Sequence, residues 1–238
     1  MTPVTVLLAG LVALAAGWLL MRRLGPGARI GRILAATPVV PVARAIELAS
    51  RGSARYVAVG GRIGSADEFE DEAGRPLVFR RTRLELRRGS GWAAVEDRRD
   101  VVPFEVAGGL VSIAVDAGAL GEGLVVVTRE SEGTAGEIPD RVPPGTDPVT
   151  PVRFRVEHVS SIDHALVLGV PGVDPDRGPI LRPGLGRPLV LTTLEPAEAM
   201  RLLAAGRRGA TVAISALLAA GVVAVAVGLA WAVVDAVA

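Results

Sequence analysis

Two uncharged apolar runs stand at the ends of this chain, and almost every charged residue lies between them. Val4 to Met21 reads VTVLLAGLVALAAGWLLM, and Ala210 to Val234 is built from Ala, Val, Leu, Ile, Gly and Trp with Thr211 and Ser215 its only hydroxylic members. A helix needs about 17–25 apolar residues to cross the hydrocarbon core of a bilayer. The first run is near the lower end of that range, and the second leaves length for tilt. The expectation is a transmembrane helix over 4–21, another over 210–234, and a folded region held between them.

The arginines beside these runs carry the orientation. Arg22 and Arg23 follow the first run, and Arg207 and Arg208 precede the second. A cleaved signal peptide, the alternative for the first run, has its basic residues ahead of the apolar core rather than behind it. Positive flanks tend to stay inside. Both runs therefore predict the same side, the cytoplasm, for residues 22–209. Arg29 and Arg32 extend the basic set; they contact anionic headgroups, at roughly 1 kcal/mol each when close to the surface, or serve only as topology determinants. Membrane lipids are thus expected partners. The Gly and Ala of the second run allow close helix packing, which admits a homo-oligomer formed through the membrane helices.

Composition narrows the chemistry. Half the residues are hydrophobic and the mean hydropathy is +0.44. The chain has no Cys, Lys, Asn or Gln, so all 26 of its Lys-or-Arg positions are Arg. That bias fits a GC-rich bacterial genome and hence a bacterial cell membrane. Without Cys there are no disulfides, thiolate metal sites or cysteine nucleophiles. Without Asn there is no glycosylation sequon. A net charge of +1 gives no expectation of nucleic-acid binding.

Between the runs the pattern is mainly that of strands. Residues 22–54 read as a Gly/Arg-rich juxtamembrane link over 24–37 and then a short helix, with Val42, Ala45, Ile46 and Ala49 on one face. Residues 55–129 form a first β module. It opens with a strand over 55–63 that carries Val57, Val59 and Ile63 on one face and Gly60-Gly61 in its middle, which implies a bulge or a close backbone approach. Five carboxylates over 67–72 form a solvated acidic turn or hold a hard cation, though calcium-loop spacing is missing. Pro76 to Val106 is the densest strand region. Val78, Thr82, Leu84 and Leu86 share one face of a period-two strand, and Arg81, Arg83, Glu85 and Arg87 share the other. Leu77 and Phe79 fall out of phase, so the strand is buried on both faces at its start or bulged. After Gly89-Ser90-Gly91, a second strand is expected over 100–106 with Pro103 inside it, at an edge or a bulge. Strands over 110–115 and 124–128 follow, and 130–150 reads as a mobile loop.

Residues 151–208 form a second β module with a C-terminal helix. Val152, Phe154 and Val156 alternate with Arg153, Arg155 and Glu157. Further strands are expected over 165–170 and 188–193, and Pro196 opens a helix through Leu203. Gly74-Arg75-Pro76-Leu77-Val78 recurs as Gly186-Arg187-Pro188-Leu189-Val190. The recurrence marks either a duplicated β module or a coincidence in an Arg/Gly/Pro-rich chain.

No catalytic constellation stands out. His158 and His164 are the only histidines. His158 is in phase with Val152, Phe154 and Val156, which favours a core or turn histidine over a metal ligand. Gly25, Gly27 and Gly31 miss the dinucleotide fingerprint. Ser160-Ser161 near His158 and Asp163 lacks a nucleophile elbow. Catalytic, cofactor and metal residues are therefore none. The residues singled out are the membrane-flanking Arg22, Arg23, Arg207 and Arg208, and an interaction surface of Arg81, Arg83, Arg87 and Trp92.

In order along the chain come an apolar run, a short helix, VGGRI, PLVFRRTRLEL…W…VVPFEV, a long loop, VRFRVEHV, ALVLGV, PLVLTTLEPAEAMRLL and a second apolar run. This order resembles the GIDE-type family, whose eukaryotic members are E3 ubiquitin ligases of mitochondrial and chloroplast outer membranes. Val102-Pro103-Phe104-Glu105, Ala165 to Gly169 and Leu191 to Glu195 carry most of the resemblance. It implies two membrane helices around a β-rich domain, followed in the family by a RING finger. The chain stops four residues after its second run, and without Cys a RING zinc site cannot form, so no ligase activity follows. The family's domain faces the intermembrane space, whereas the arginines here predict the cytoplasm. The resulting expectation is a membrane-anchored α+β protein, with a mainly antiparallel β domain of small barrel or sandwich modules between two transmembrane helices. That domain would serve interaction or sensing through a protein partner of unknown identity. The alternatives are a ligase-like or hydrolytic enzyme and a structural membrane-assembly protein.

Overall fold

The computed structural model describes residues 3–121, 123–204 and 208–237; side chains at 3, 21–26, 28, 204, 208–211, 232–234 and 236–237 lie outside that description. In chain order the elements are α1 (Pro3–Ala36), β1 (Val39–Val40), α2 (Val42–Ser50), β2 (Val57–Gly64), β3 (Phe69–Glu70), β4 (Pro76–Arg88), β5 (Gly91–Val101), β6 (Phe104–Gly108) and β7 (Val111–Val115). They continue with β8 (Leu124–Val125), β9 (Arg129–Thr134), β10 (Pro151–Ser160), β11 (His164–Asp174), β12 (Gly178–Arg182), β13 (Val190–Thr192), α3 (Pro196–Ala204) and α4 (Arg208–Val237). The protein is α+β and mainly β-sheet. It divides into two compact units, Met1–Ala35 with Met200–Ala238, and Ala36–Ala199.

The helical unit pairs α1 with α4. Within α4, Val212–Trp231 is long and apolar enough to cross a membrane, with a hydropathy of 2.6; Val4–Leu20 of α1 is apolar but shorter. Gly10 and Gly17 of α1 are buried, as are Gly221 and Gly228 of α4. A Cβ at Gly10 would lie 2.7 Å from Val225 Cγ2, one at Gly17 2.6 Å from Leu218 Cδ2, and one at Gly228 2.8 Å from Leu7 Cγ. The helices thus run antiparallel, with backbones as close as the missing side chains allow. The glycine spacing is seven on both, a 3.5-residue period that corresponds to a left-handed crossing. The expected link over 24–37 is helical instead. Ile30, Ile33 and Leu34, at i, i+3 and i+4, are buried, and that apolar stripe overrides the poor helix propensity of the glycines around it.

The β unit is organised by a closed ring of strands. β2 pairs antiparallel with β6, and β6 with β7. β7 pairs parallel with β12, β12 antiparallel with β11, and β11 antiparallel with β2. Numbering these five in chain order gives 1-2-3-5-4-1, the connectivity of an OB-type barrel. β13 takes the stretch of the β11 edge that β12 leaves free, with β8 beyond it, and β1 lies parallel beside β2. The fully buried Val57, Val59, Val106, Ile113, Val167 and Leu181 fill the barrel, and Val42, Ala45 and Leu48 of α2 pack against them. Buried Tyr56 secures the ring, its hydroxyl donating to Pro188 O at 2.6 Å and Leu168 O at 3.2 Å.

A second sheet grows from two excursions of the barrel chain. β3, β4 and β5 leave between the first and second ring strands, and β9 and β10 between the third and fourth. Its order is β3-β4-β10-β9, with β5 also on β4. The two expected β modules are therefore not separate halves of the chain. Each half contributes to both sheets, because β4 finds its partner in β10 and β2 finds its partner in β11. The repeated GRPLV is a local echo: Gly74 and Gly186 both take positive φ, 69° and 67°, a region that favours glycine, but β4 and β13 lie in different sheets.

The start of β4 is both buried on two faces and bulged. Leu77, Val78 and Phe79 are all buried, and Val78 is unopposed because Val159 pairs with Phe79 and Ser160 with Leu77. Pro103 falls between two strands rather than inside one, since β5 occupies Gly91–Val101. The charged run 96–100 concealed β5, whose Asp97 and Asp100 pair with arginines of β4 while Val95 packs against a second core. The expected loop over 130–150 begins with β9 and continues through 3₁₀ turns at Ala135–Glu137 and Pro139–Arg141. Ala135, with Ile138 and Val142, covers Leu84, Leu86 and Val152 in a small second core.

Candidate functional site

The second sheet presents two chemically different faces. Register assigns Arg81, Arg83, Arg87, Arg99, Arg153 and Arg155 to one face, with Glu85, Asp97, Glu130, Glu132 and Glu157 among them. Trp92, opposite Arg87, belongs to the same face. The four residues singled out as an interaction surface are thus brought together, but not as a free cationic patch. Arg81 makes paired hydrogen bonds to Asp97, at 2.8 and 2.6 Å, and Arg83 lies 3.7 Å from the same carboxylate. Arg153 donates to Glu85 at 2.8 and 2.5 Å, and Arg155 lies 2.8 Å from Glu130. The Arg87 and Arg153 guanidinium groups stand over Trp92 at 5.4 and 4.6 Å.

These contacts work in one direction. The Arg81 hydrogen bond holds the Asp97 carboxyl below its usual range, and Asp97 in turn raises Arg81. On the opposite face, the Arg80 hydrogen bond does the same for Asp100. The exposed pairs among these stabilise by about 1 kcal/mol or less each, whereas Glu85 is itself buried beneath Arg153. Their larger consequence is that six positive and five negative groups interleave, so the face is close to neutral and carries little attraction for a polyanion. Of the acidic partners only Glu85 shares a strand with Arg81, Arg83 and Arg87; Asp97 comes from β5 and Glu130 from β9.

The other face carries Val152, Phe154, Val156 and His158 of β10 beside Leu86, Leu84, Thr82 and Arg80 of β4. The small second core covers its far half. The near half is an open cleft of about 250 Å³. Leu77, Phe154 and Val156 supply apolar lining, while Arg75, Arg80 and Arg129 supply cationic walls beside the carboxylates of Asp71 and Glu72. Two of these arginines are engaged. Arg80 donates to Asp100 at 3.1 and 2.8 Å and lies 5.4 Å over Phe69. Arg75 closes an acidic turn with Asp71, which accepts the Ala73 and Arg75 amides at 2.9 Å each. The Arg75 amide and guanidinium hold Asp71 at about 2. Arg129 is exposed and has no ion pair among the described residues.

His158 enters this cleft, in phase with the β10 apolar positions. Burial lowers its pKa below the usual 6.5, and the charges of Arg75 and Arg129 act in the same direction. An unfolded chain then binds the proton more readily than the folded one, so this residue makes stability fall as pH drops from the ordinary value toward the folded one. Histidine-selective NMR of the full chain, assigned with His158→Gln, is expected to give a His158 midpoint below 6.5. A midpoint at or above that value would remove the cationic walls from the account.

The remaining sequence candidates serve the architecture. Ser160 Oγ donates to Pro76 O at 2.6 Å, and Asp163 Oδ2 accepts the Ser160 amide at 3.0 Å. Both residues therefore close the β10–β11 turn. His164 is exposed at the start of β11, opposite Arg62. Among the described residues no group of three or more His, Asp or Glu could hold a metal. Arg207 lies outside the described residues, as do the side chains of Arg22, Arg23 and Arg208; the backbone of Arg22 and Arg23 is part of α1, and Arg208 opens α4.

The class of protein defined here is an α+β chain with an OB-type barrel, a second sheet and one helix apolar enough for a membrane. Searches against family models, curated proteins and solved structures found no match for the chain. Its topology alone does not assign a ligand, since one barrel fold serves many functions.

Proposed function

We propose that the chain is a two-span membrane protein carrying a β-rich, non-catalytic interaction or sensing module on the cytoplasmic side of a bacterial membrane. The observation that carries this reading is the antiparallel glycine seam. It lays the short apolar stretch of α1 level with Val212–Trp231 of α4, so a segment marginal by length has a partner of sufficient length beside it. The GIDE-type reading is part of the same proposal and rests on the order of elements; without Cys it carries no ligase chemistry.

Reporters that work on only one side of a membrane test this directly, inserted at the exposed Gly145 turn and fused after the last residue. The expected result is a cytoplasmic Gly145 reporter and a fusion on the opposite side. Both reporters on one side would end the two-span reading, and an external Gly145 reporter would end the cytoplasmic one.

A further inference from the structure

We propose that the outer edge of β9 and the adjoining cleft take the C-terminal end of an extended peptide whose last residue is apolar. This rests on the reading of the β unit as an interaction module and names its ligand chemistry. β9 pairs with β10 on one side only, as the outermost strand of its sheet. Among the described residues, Arg129–Thr134 makes no backbone hydrogen bond to any strand except β10. Edge strands are commonly protected by charge. Here Glu130 is already matched by Arg155, which leaves Glu132, on the face away from the cleft, as the remaining acidic charge of the strand.

Polarity and pairing then converge on one end of β9. Arg129 is its first residue and lies opposite Val156, on the cleft side of the sheet. A strand added antiparallel to β9 would finish beside Arg129, because its C-terminus lies against the N-terminus of its neighbour. The residue directly opposite Arg129 would share that face, the cleft side that Phe154 and Val156 also line. Its carboxylate would meet a guanidinium that has no ion pair among the described residues. Main-chain pairing, an apolar pocket and carboxylate capture are the components of strand-addition recognition. The alternating charges of the opposite face offer no comparable combination.

The test uses the full chain in detergent micelles on an array of octapeptides ending in Val, Leu or Ile, each as free acid and as amide. The free acids are expected to bind, with the amides about tenfold weaker or less, as for loss of one charge-assisted hydrogen bond. Arg129→Gln should reduce the acids to the level of the amides without changing thermal stability, and Arg129→Lys should retain part of the difference. Equal binding of acid and amide, indifference to Arg129→Gln, or no peptide bound would overturn the proposal. So would isovalerate competing as well as a peptide, or binding to anionic vesicles alone. The membrane reporters do not depend on these micelle measurements, so failure here leaves the two-span reading standing.

Discussion

Replacing Gly61 by alanine is expected to cost the β unit at least about 3 kcal/mol, while the same change at Gly60 is expected to stay within about 1 kcal/mol. The two glycines are adjacent in β2, but their surroundings differ. A Cβ on Gly61 would stand 2.2 Å from Ala107 O, 2.8 Å from Val106 Cγ1 and 2.9 Å from Ala107 C. Two of those atoms belong to the β6 backbone, which cannot rotate aside as a side chain can. Moving it would pull β6 from β2 at the Arg62–Ala107 pair and open the barrel. A Cβ on Gly60 meets only Leu166 Cδ1 at 3.6 Å, an ordinary contact at the end of a flexible side chain. For a chain of this size, about 2–4 °C of melting temperature corresponds to each kcal/mol. Thermal unfolding of the purified chain should therefore separate the two variants by roughly 4 °C or more, unless Gly61→Ala fails to fold at all. Similar melting temperatures would mean that β6 does not approach β2 as described.

This pair also shows what the sequence could convey. Gly60-Gly61 within an apolar strand implied a close approach, but not which glycine was approached or by what. The strands that entered a core were legible from period two: Val57, Val59 and Ile63 in β2, and Val152 and Phe154 in β10. β5 was not, because Asp97 and Asp100 satisfy themselves on Arg81 and Arg80 rather than in a core. β12 was missed for a different reason. Gly178 and Pro179 open it, both poor strand formers, and its burial comes from closing the ring between β7 and β11. Ring closure is a property of pairings distant in sequence, which local periodicity does not encode. Alternation put Arg81, Arg83, Glu85 and Arg87 on one face, and the register agrees. The electrostatic character of that face was not legible, because Asp97, Glu130 and Arg153 reach it from other strands. The cleft left the weakest trace: only the phase of His158 pointed toward it.

Exchanging Gly221 for isoleucine is expected to separate α1 from α4. A Cβ at that position would lie 2.9 Å from Leu14 Cγ and 3.1 Å from Gly10 O, and isoleucine adds branching at that atom. The backbone of α1 would have to retreat, and the matching glycines at 10, 17 and 228 would lose their function with it. Because the chain contains no Cys, introduced cysteines can report the pairing without background. Gly17→Cys with Leu218→Cys should oxidise to an intramolecular disulfide in membranes, since a Cβ at Gly17 falls within 2.8 Å of Leu218 Cγ. Leu8→Cys with Leu218→Cys should not, because Leu8 is exposed and lies about two and a half turns from Gly17 along α1. Gly221→Ile introduced into the first pair should suppress the disulfide severalfold. Crosslinks between chains instead of within one would show that the glycine seam joins separate copies, which would support an assembly role. Persistence of the intramolecular crosslink in Gly221→Ile would mean that another contact holds the helices. The seam would then lose its place as the observation on which the two-span reading depends.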